Sequence, residues 1–215
     1  MNKEFFKRIL SSFILIPLVL LFVIEGSIFF NVFILLILFI TLYEWHYVSF
    51  KQIYYLPGSI FIFFSFYIFY LIRIEESLTI FLLILLTCVA TDVGGYMFGK
   101  ILKGPKLTKI SPNKTYSGMF GGFLLSIILA TIYLKNLTFL SLVEIDGQLR
   151  VKIMFIVLST SFISQIGDLI ISFCKRKSKI KNTGKIIPGH GGILDRIDGM
   201  IFAFPFVFLL IKIIQ

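Results

Sequence analysis

The chain has 215 residues, of which 58% are hydrophobic and 15% charged, and its mean hydropathy is +0.97. Soluble domains carry charge on about a quarter of their residues, so a water-soluble globule is excluded and a bilayer is the expected solvent. Twenty-one Lys and Arg against eleven Asp and Glu give a net charge of +10. In such a chain that excess reads as topology and anionic surroundings, with no nucleic-acid partner expected.

Apolar runs occur in chain order at 9–24, 27–43, 56–72, 78–98, 118–134, 153–171 and 197–214. A membrane-crossing helix takes about 20 residues, so seven leave only about 75 for loops and ends, and no separate soluble domain fits. The runs are continuous and show no alternation, which argues against a β-barrel. The first run follows Lys3, Lys7 and Arg8 but meets Glu25 without a small-residue cleavage site, and is read as a retained helix. The expected fold is an all-α integral membrane protein, a polytopic bundle of about seven transmembrane helices with a cytoplasmic N-terminus. That threading puts sixteen Lys and Arg inside and leaves Arg73, Lys135, Arg150, Lys152 and Lys212 outside, as the positive-inside rule requires. Two regions follow: N-terminal helices over 1–85, and a C-terminal region over 86–215 whose cytoplasmic-side loops, 99–117 and 173–196, hold most of the unusual chemistry.

Asp92 closes the fourth run before Gly94 and Gly95. Residues 94–100 match the spacing of a phosphate-binding loop up to Lys100, but Ile101 stands where a magnesium-binding hydroxyl belongs, and the match is set aside. Ser111-Pro112-Asn113-Lys114-Thr115 places hydroxyls and a lysine at the start of the fifth run, suited to anion binding or simply to helix capping. Asp168 lies within the sixth run, where a carboxylate costs about 2.5–3.5 kcal/mol and needs a partner, structural or functional. The basic stretch Lys175, Arg176, Lys177, Lys179, Lys181 and Lys185 is either a solvated inside loop or a clamp for phosphates. In Pro188-Gly189-His190-Gly191-Gly192 the glycines allow main-chain amides to approach an anion, and a plain turn is the alternative. Asp195 and Asp198 stand three apart on one helical face, next to Arg196, and either start the helix or bind a cation. Oxygen donors from Asp168, Asp195 and Asp198 suit Mg2+. Cys88 and Cys174 lack metal-ligand spacing and are expected as free thiols.

Taken together, Ser172 to Asp198, with Lys175-Arg176, Lys181, the Pro188–Gly192 turn and Asp195-Arg196-x-Asp198, resembles the signature of the phosphatidate cytidylyltransferases, or CDP-diacylglycerol synthases. Gln165-x-Gly167-Asp168-Leu169, the stretch Asp92 to Gly99, and Ser111-Pro112-x-Lys114-Thr115 to Gly118 are similar to further blocks of that family in the same order. Resemblance covers roughly 85–205. It implies transfer of cytidylyl from CTP to phosphatidate, giving CDP-diacylglycerol and pyrophosphate. It further implies Mg2+ at Asp168, Asp195 and Asp198 with a second cation possible at Asp92, Lys175 and Arg176 as reaction residues, and a homodimer in the bacterial inner membrane with its active site facing the cytoplasm. Ser111, Lys114, Thr115, Ser172, Lys181, Gly189, His190, Gly191, Gly192 and Arg196 are the implied substrate contacts. Two departures remove acids: Asn182 stands where the family has Asp, and Ser117 where it has Glu. A CTP-dependent lipid-alcohol kinase, or an inactive homologue or transporter, is the alternative.

Overall fold

The computed structural model describes residues 3–108, 111–139, 146–187, 189 and 191–214, with side chains from residue 13 to 213 among them. Its elements are α1 (Lys3–Glu25), α2 (Ser27–Ser49), α3 (Tyr55–Leu71) continued by a π-helical turn (Ile72–Glu76), α4 (Leu78–Leu102), α5 (Tyr116–Phe139), α6 (Gly147–Lys177), a short α7 (Leu194–Ile197) and α8 (Met200–Ile214). No strand occurs among the described residues; two isolated antiparallel bridges, Lys106 with Thr115 and Ile187 with Gly191, only close loops.

The first six apolar runs lie on helix, the third ending in the π-helical turn, and the seventh runs from the end of α7 through a turn at 198–199 into α8. Among the described residues, Ser27–Ser49, Tyr55–Glu76, Leu78–Leu102, Tyr116–Phe139 and Gly147–Lys177 are long and apolar enough to cross a membrane. The described apolar part of α1, Phe13–Glu25, is shorter, and α8 has 15 residues with Pro205 inside it. Large apolar side chains such as Phe29, Leu36, Phe39 and Tyr43 of α2 are exposed, the pattern of helices whose solvent is lipid.

The chain forms two compact units, Met1–Leu78 with Cys174–Asp198, and Thr79–Phe173 with Gly199–Gln215. In the first, α1 and α2 are joined by Gly26 at φ 66°. Arg73 Nε and Nη2 donate to the carbonyls of Val23 (2.9 Å) and Ile24 (3.3 Å), satisfying acceptors that the end of α1 leaves without helical partners. The space a Cβ at residue 26 would need is filled by that guanidinium. Trp45 Nε1 donates to the Tyr55 carbonyl at 3.1 Å and its ring covers Gly58, locking α2 against the start of α3.

In the second unit α4 and α5 meet through glycines. A Cβ on Gly94 would overlap the Gly121 carbonyl, and one on Gly121 would overlap the Phe98 ring. Small residues let membrane helices approach where apolar burial offers no drive. Leu83, Ala130 and Val157 form a core shared by α4, α5 and α6, Phe81 meets Phe204 edge to face at 5.1 Å, and Thr91 Oγ1 donates to Ser161 Oγ at 2.7 Å inside the bundle. Gly94→Val is therefore expected to destabilise this unit by about 1–3 kcal/mol through overpacking, read as a lower midpoint of thermal unfolding in detergent.

Candidate active site

In the first unit, the last turn of α6, the loop 178–193 and α7 are folded around two carboxylates. Lys175 Nζ lies 2.8 Å from Asp195 Oδ1 and 3.7 Å from Asp198 Oδ2, with all three side chains under a tenth exposed. A cation between two anions offsets much of the desolvation cost, several kcal/mol, that each would carry alone, and the remaining negative charge calls for further hydrogen-bond donors. Asp195 Oδ2 also accepts from the amides of Thr183 (2.8 Å) and Gly192 (3.0 Å). Burial pushes the Asp195 carboxyl up, but the hydrogen bond and charge of Lys175 and the two amides outweigh it, and the net shift is downward.

The expected glycine turn is present. Ile187 and Gly191 exchange backbone hydrogen bonds of 2.9 and 3.2 Å, and Gly189 and Gly191 have φ of 78° and 91°, values that side chains resist. At Gly191 a Cβ would also crowd Asp195 Oδ2. Gly192 is buried; Pro188 and His190 lie outside the described residues.

One residue that the sequence reading passes over is central to this fold. Glu44, near the end of α2, is 1% exposed. Its Oε2 accepts from Thr183 Oγ1 (2.9 Å) and the Leu194 amide (2.8 Å), and its Oε1 from the Ile193 amide (3.0 Å). The available signal was a carboxylate at the end of an apolar run, in Tyr43-Glu44-Trp45, but its partners lie about 140 and 150 positions away.

In the second unit, Lys114 is ion-paired to Asp168 Oδ2, and Ser172 Oγ donates to Asp168 Oδ1 at 3.2 Å. The carboxylate is about a quarter exposed, so the acid within the sixth run does find the partner its setting demands. The loop 103–115 holds Lys114 in place: Leu107 N donates to the Lys114 carbonyl, Lys114 N to the Ser111 carbonyl, and Tyr116 N to the Pro105 carbonyl. Thr115 Oγ1 accepts from the Gly118 amide at 3.1 Å and so caps α5. Ser117, where the resemblance leads one to expect Glu, bonds Thr115 Oγ1 and the Lys103 carbonyl.

Other expected residues sit at the surface. Arg176 Nη1 donates to the Ile180 carbonyl at 3.1 Å. Arg176, Lys181, Asn182, Arg196 and Asp92 are exposed. Among the described residues no three His, Cys, Asp or Glu side chains gather into a metal-holding group. The acids fit Mg2+ in a limited sense: Asp168 and Asp198 present hard oxygens toward ammonium groups, whereas the oxygens of Asp195 already serve one ammonium and two amides. A magnesium ion that takes one or two carboxylates and completes its shell with water and substrate phosphate is compatible with such donors.

Apart from Glu44, these features lie within a stretch that matches a known family. Residues 47–214 match the model of the cytidylyltransferase family, and the chain belongs to that family. It is 32% identical to a phosphatidate cytidylyltransferase of Rickettsia bellii over 97% of this chain and 91% of that protein. It is 41% identical to the phosphatidate cytidylyltransferase of Bacillus subtilis over 58% of this chain and 44% of that protein, and 41% identical to that of Brucella suis over 56% and 42%. The match thus spans less than half the length of the latter two relatives.

The depressed Asp195 carboxyl sets a pH dependence. A carboxylate whose folded pKa lies below its ordinary value of 3.8 lends stability that is complete above that value and is lost as pH falls through the folded one. Amide hydrogen exchange of Thr183 and Gly192, corrected for intrinsic rates, is expected to stay level from about pH 7 to pH 5 and to accelerate only below about pH 4.

Proposed function

We propose that this chain transfers cytidylyl from CTP to phosphatidate, forming CDP-diacylglycerol and pyrophosphate for phospholipid synthesis. The observation that carries the reading is similarity along nearly the whole chain to a protein named for that activity. The buried Lys175, Asp195 and Asp198 cluster lies inside the part that matches the family.

The reaction is an in-line displacement. A phosphate oxygen of phosphatidate attacks the α-phosphorus of CTP, the new phosphorus–oxygen bond forms, and the bond to the β-phosphate oxygen breaks to release pyrophosphate. No protein nucleophile is needed, so the residues work by orienting and neutralising phosphates. Lys114, Arg176, Lys181 and Arg196 supply positive charge, and Ser111, Thr115, Ser172 and the Gly189–Gly192 turn with His190 complete the substrate contacts. Lys175, buried against two acids, holds them in position. Asp168, Asp195 and Asp198 are the proposed Mg2+ donors, with Asp92 for a second cation, and the ion when bound would supply charge opposite the phosphate oxygens. The proposed setting is a multi-pass protein of about seven spans in the bacterial inner membrane, N-terminus and active site cytoplasmic, working as a homodimer. The basic loops on that side and the apolar helices support the orientation.

Purified protein given labelled CTP, phosphatidate and Mg2+ in mixed micelles is expected to yield CDP-diacylglycerol and pyrophosphate in equal amounts. Chelation of the metal should abolish turnover, and Asp198→Ala should lower it by about 100-fold or more. Release of CDP in place of pyrophosphate would instead identify a CTP-dependent lipid kinase, and near-normal turnover by Asp198→Ala would remove that acid from the mechanism.

A further inference from the structure

The segment 183–194 has buried apolar side chains in Ile187 and Leu194, and its main chain is held by carboxylates. Its shape depends on two of them. Asp195 Oδ2 gathers the amides of Thr183 and Gly192, and Glu44 gathers the Thr183 hydroxyl with the amides of Ile193 and Leu194. Thr183 is gripped by both acids, by its main chain on one side and its side chain on the other, which ties the start of the segment to its end. Between those ties lies the Gly189 and Gly191 turn.

Glu44 differs from the other acids in being fully enclosed. Its carboxylate accepts from three donors, and Cβ atoms on Gly184 or Gly192 would overlap its oxygens, so the loop backbone closes over it on two sides. A buried carboxylate at a site that admits no side chain has no access to phosphate, and its effect must pass through what it holds. It also lies just before the stretch that matches the family, which begins at residue 47.

We propose that Glu44 is a positioning residue for cytidylyl transfer: from α2 it fixes Thr183 and the amides that open α7, and thereby sets the placement of Asp195, Asp198 and the glycine turn. The proposal rests on the reading that residues 175–198 serve the reaction. Glu44→Gln is the sharpest probe, because it keeps size and places an NH2 group where an acceptor is required, facing N–H or O–H donors. Glu44→Asp retains the charge with a shorter reach.

In the full-length protein in detergent micelles, Glu44→Gln should lower kcat by about 100-fold, the scale of a small misplacement of reacting groups. The KM for CTP and for phosphatidate should change by less than about threefold, with part of kcat regained in Glu44→Asp. In parallel, trypsin should cut at Lys179, Lys181 and Lys185 at least about tenfold faster, because the loop opens more often, while overall helix content and thermal midpoint stay unchanged. If Glu44→Gln does not fold, Thr183→Val, which removes one of the three donors, should show the same two effects in weaker form. Turnover within about threefold of the unaltered protein together with unchanged cleavage would overturn the proposal, and so would lost turnover with the loop as protected as before. Absence of CDP-diacylglycerol synthesis by the unaltered protein would count against the cytidylyltransferase reading alone, since the cleavage readout tests the loop independently of the reaction.

Discussion

A buried ammonium held between carboxylates is the interaction from which the polar part of this protein is built. Lys175 brings one positive charge into a place where it is 7% exposed, and such a charge persists only when opposite charge and hydrogen bonds surround it. Asp195 supplies both, because its second oxygen collects two amides of the loop that leads back to it. Helix end, loop and short helix thus close into a ring in which each polar group is the condition for burying the next. Removing one member leaves the others uncompensated, which is why the whole segment is expected to respond as a unit.

Electrostatics of this kind also explains how a chain so poor in charge can keep acids and bases ordered among apolar helices. The apolar helices provide rigid supports, and two of the acids they carry, Glu44 and Asp168, do not simply face water. Asp168 is paired with Lys114, whose loop is braced by backbone hydrogen bonds and by the Thr115 cap of α5. Glycines at Gly94, Gly121, Gly184 and Gly192 occur where a Cβ would strike a neighbouring carbonyl, ring, hydroxyl or carboxylate, so they set how closely elements approach. Close packing governs the helices and pairing governs the loops, where polar groups in an apolar setting need partners; in α6, Ser164 Oγ and Gln165 Nε2 are buried without a hydrogen-bond partner among the described residues.

Some of this architecture can be read from residue order and some cannot. The apolar runs announce their helices because length and hydropathy are local properties, and the demand of Asp168 for a partner follows from its setting alone. The Asp195 and Asp198 pair and the glycine turn are recognisable because their members lie within a few residues of one another. Glu44 is different: its three donors are distant in the chain, and nothing in its neighbours says that it will be enclosed by Gly184 and Gly192. Lys175 and Arg176 are adjacent basic residues with opposite fates, one buried on two acids and the other exposed on the Ile180 carbonyl. Helical phase at the end of α6 separates them, and a one-residue difference in phase is finer than run boundaries resolve. Likewise Ser117, which stands where the resemblance implies an acid, is engaged with Thr115 and the Lys103 carbonyl.

The order of this polar cluster depends on the coupling between Lys175 and Asp195, and a double-mutant cycle with Lys175→Met and Asp195→Asn measures it most directly. The observable is the opening free energy of residues 178–194 from hydrogen exchange in the full-length protein. Strong non-additivity is expected, with the double variant little worse than either single one and a coupling of about 1–3 kcal/mol. Losses that add to within about 0.5 kcal/mol would show that the two side chains act independently, and would contradict it.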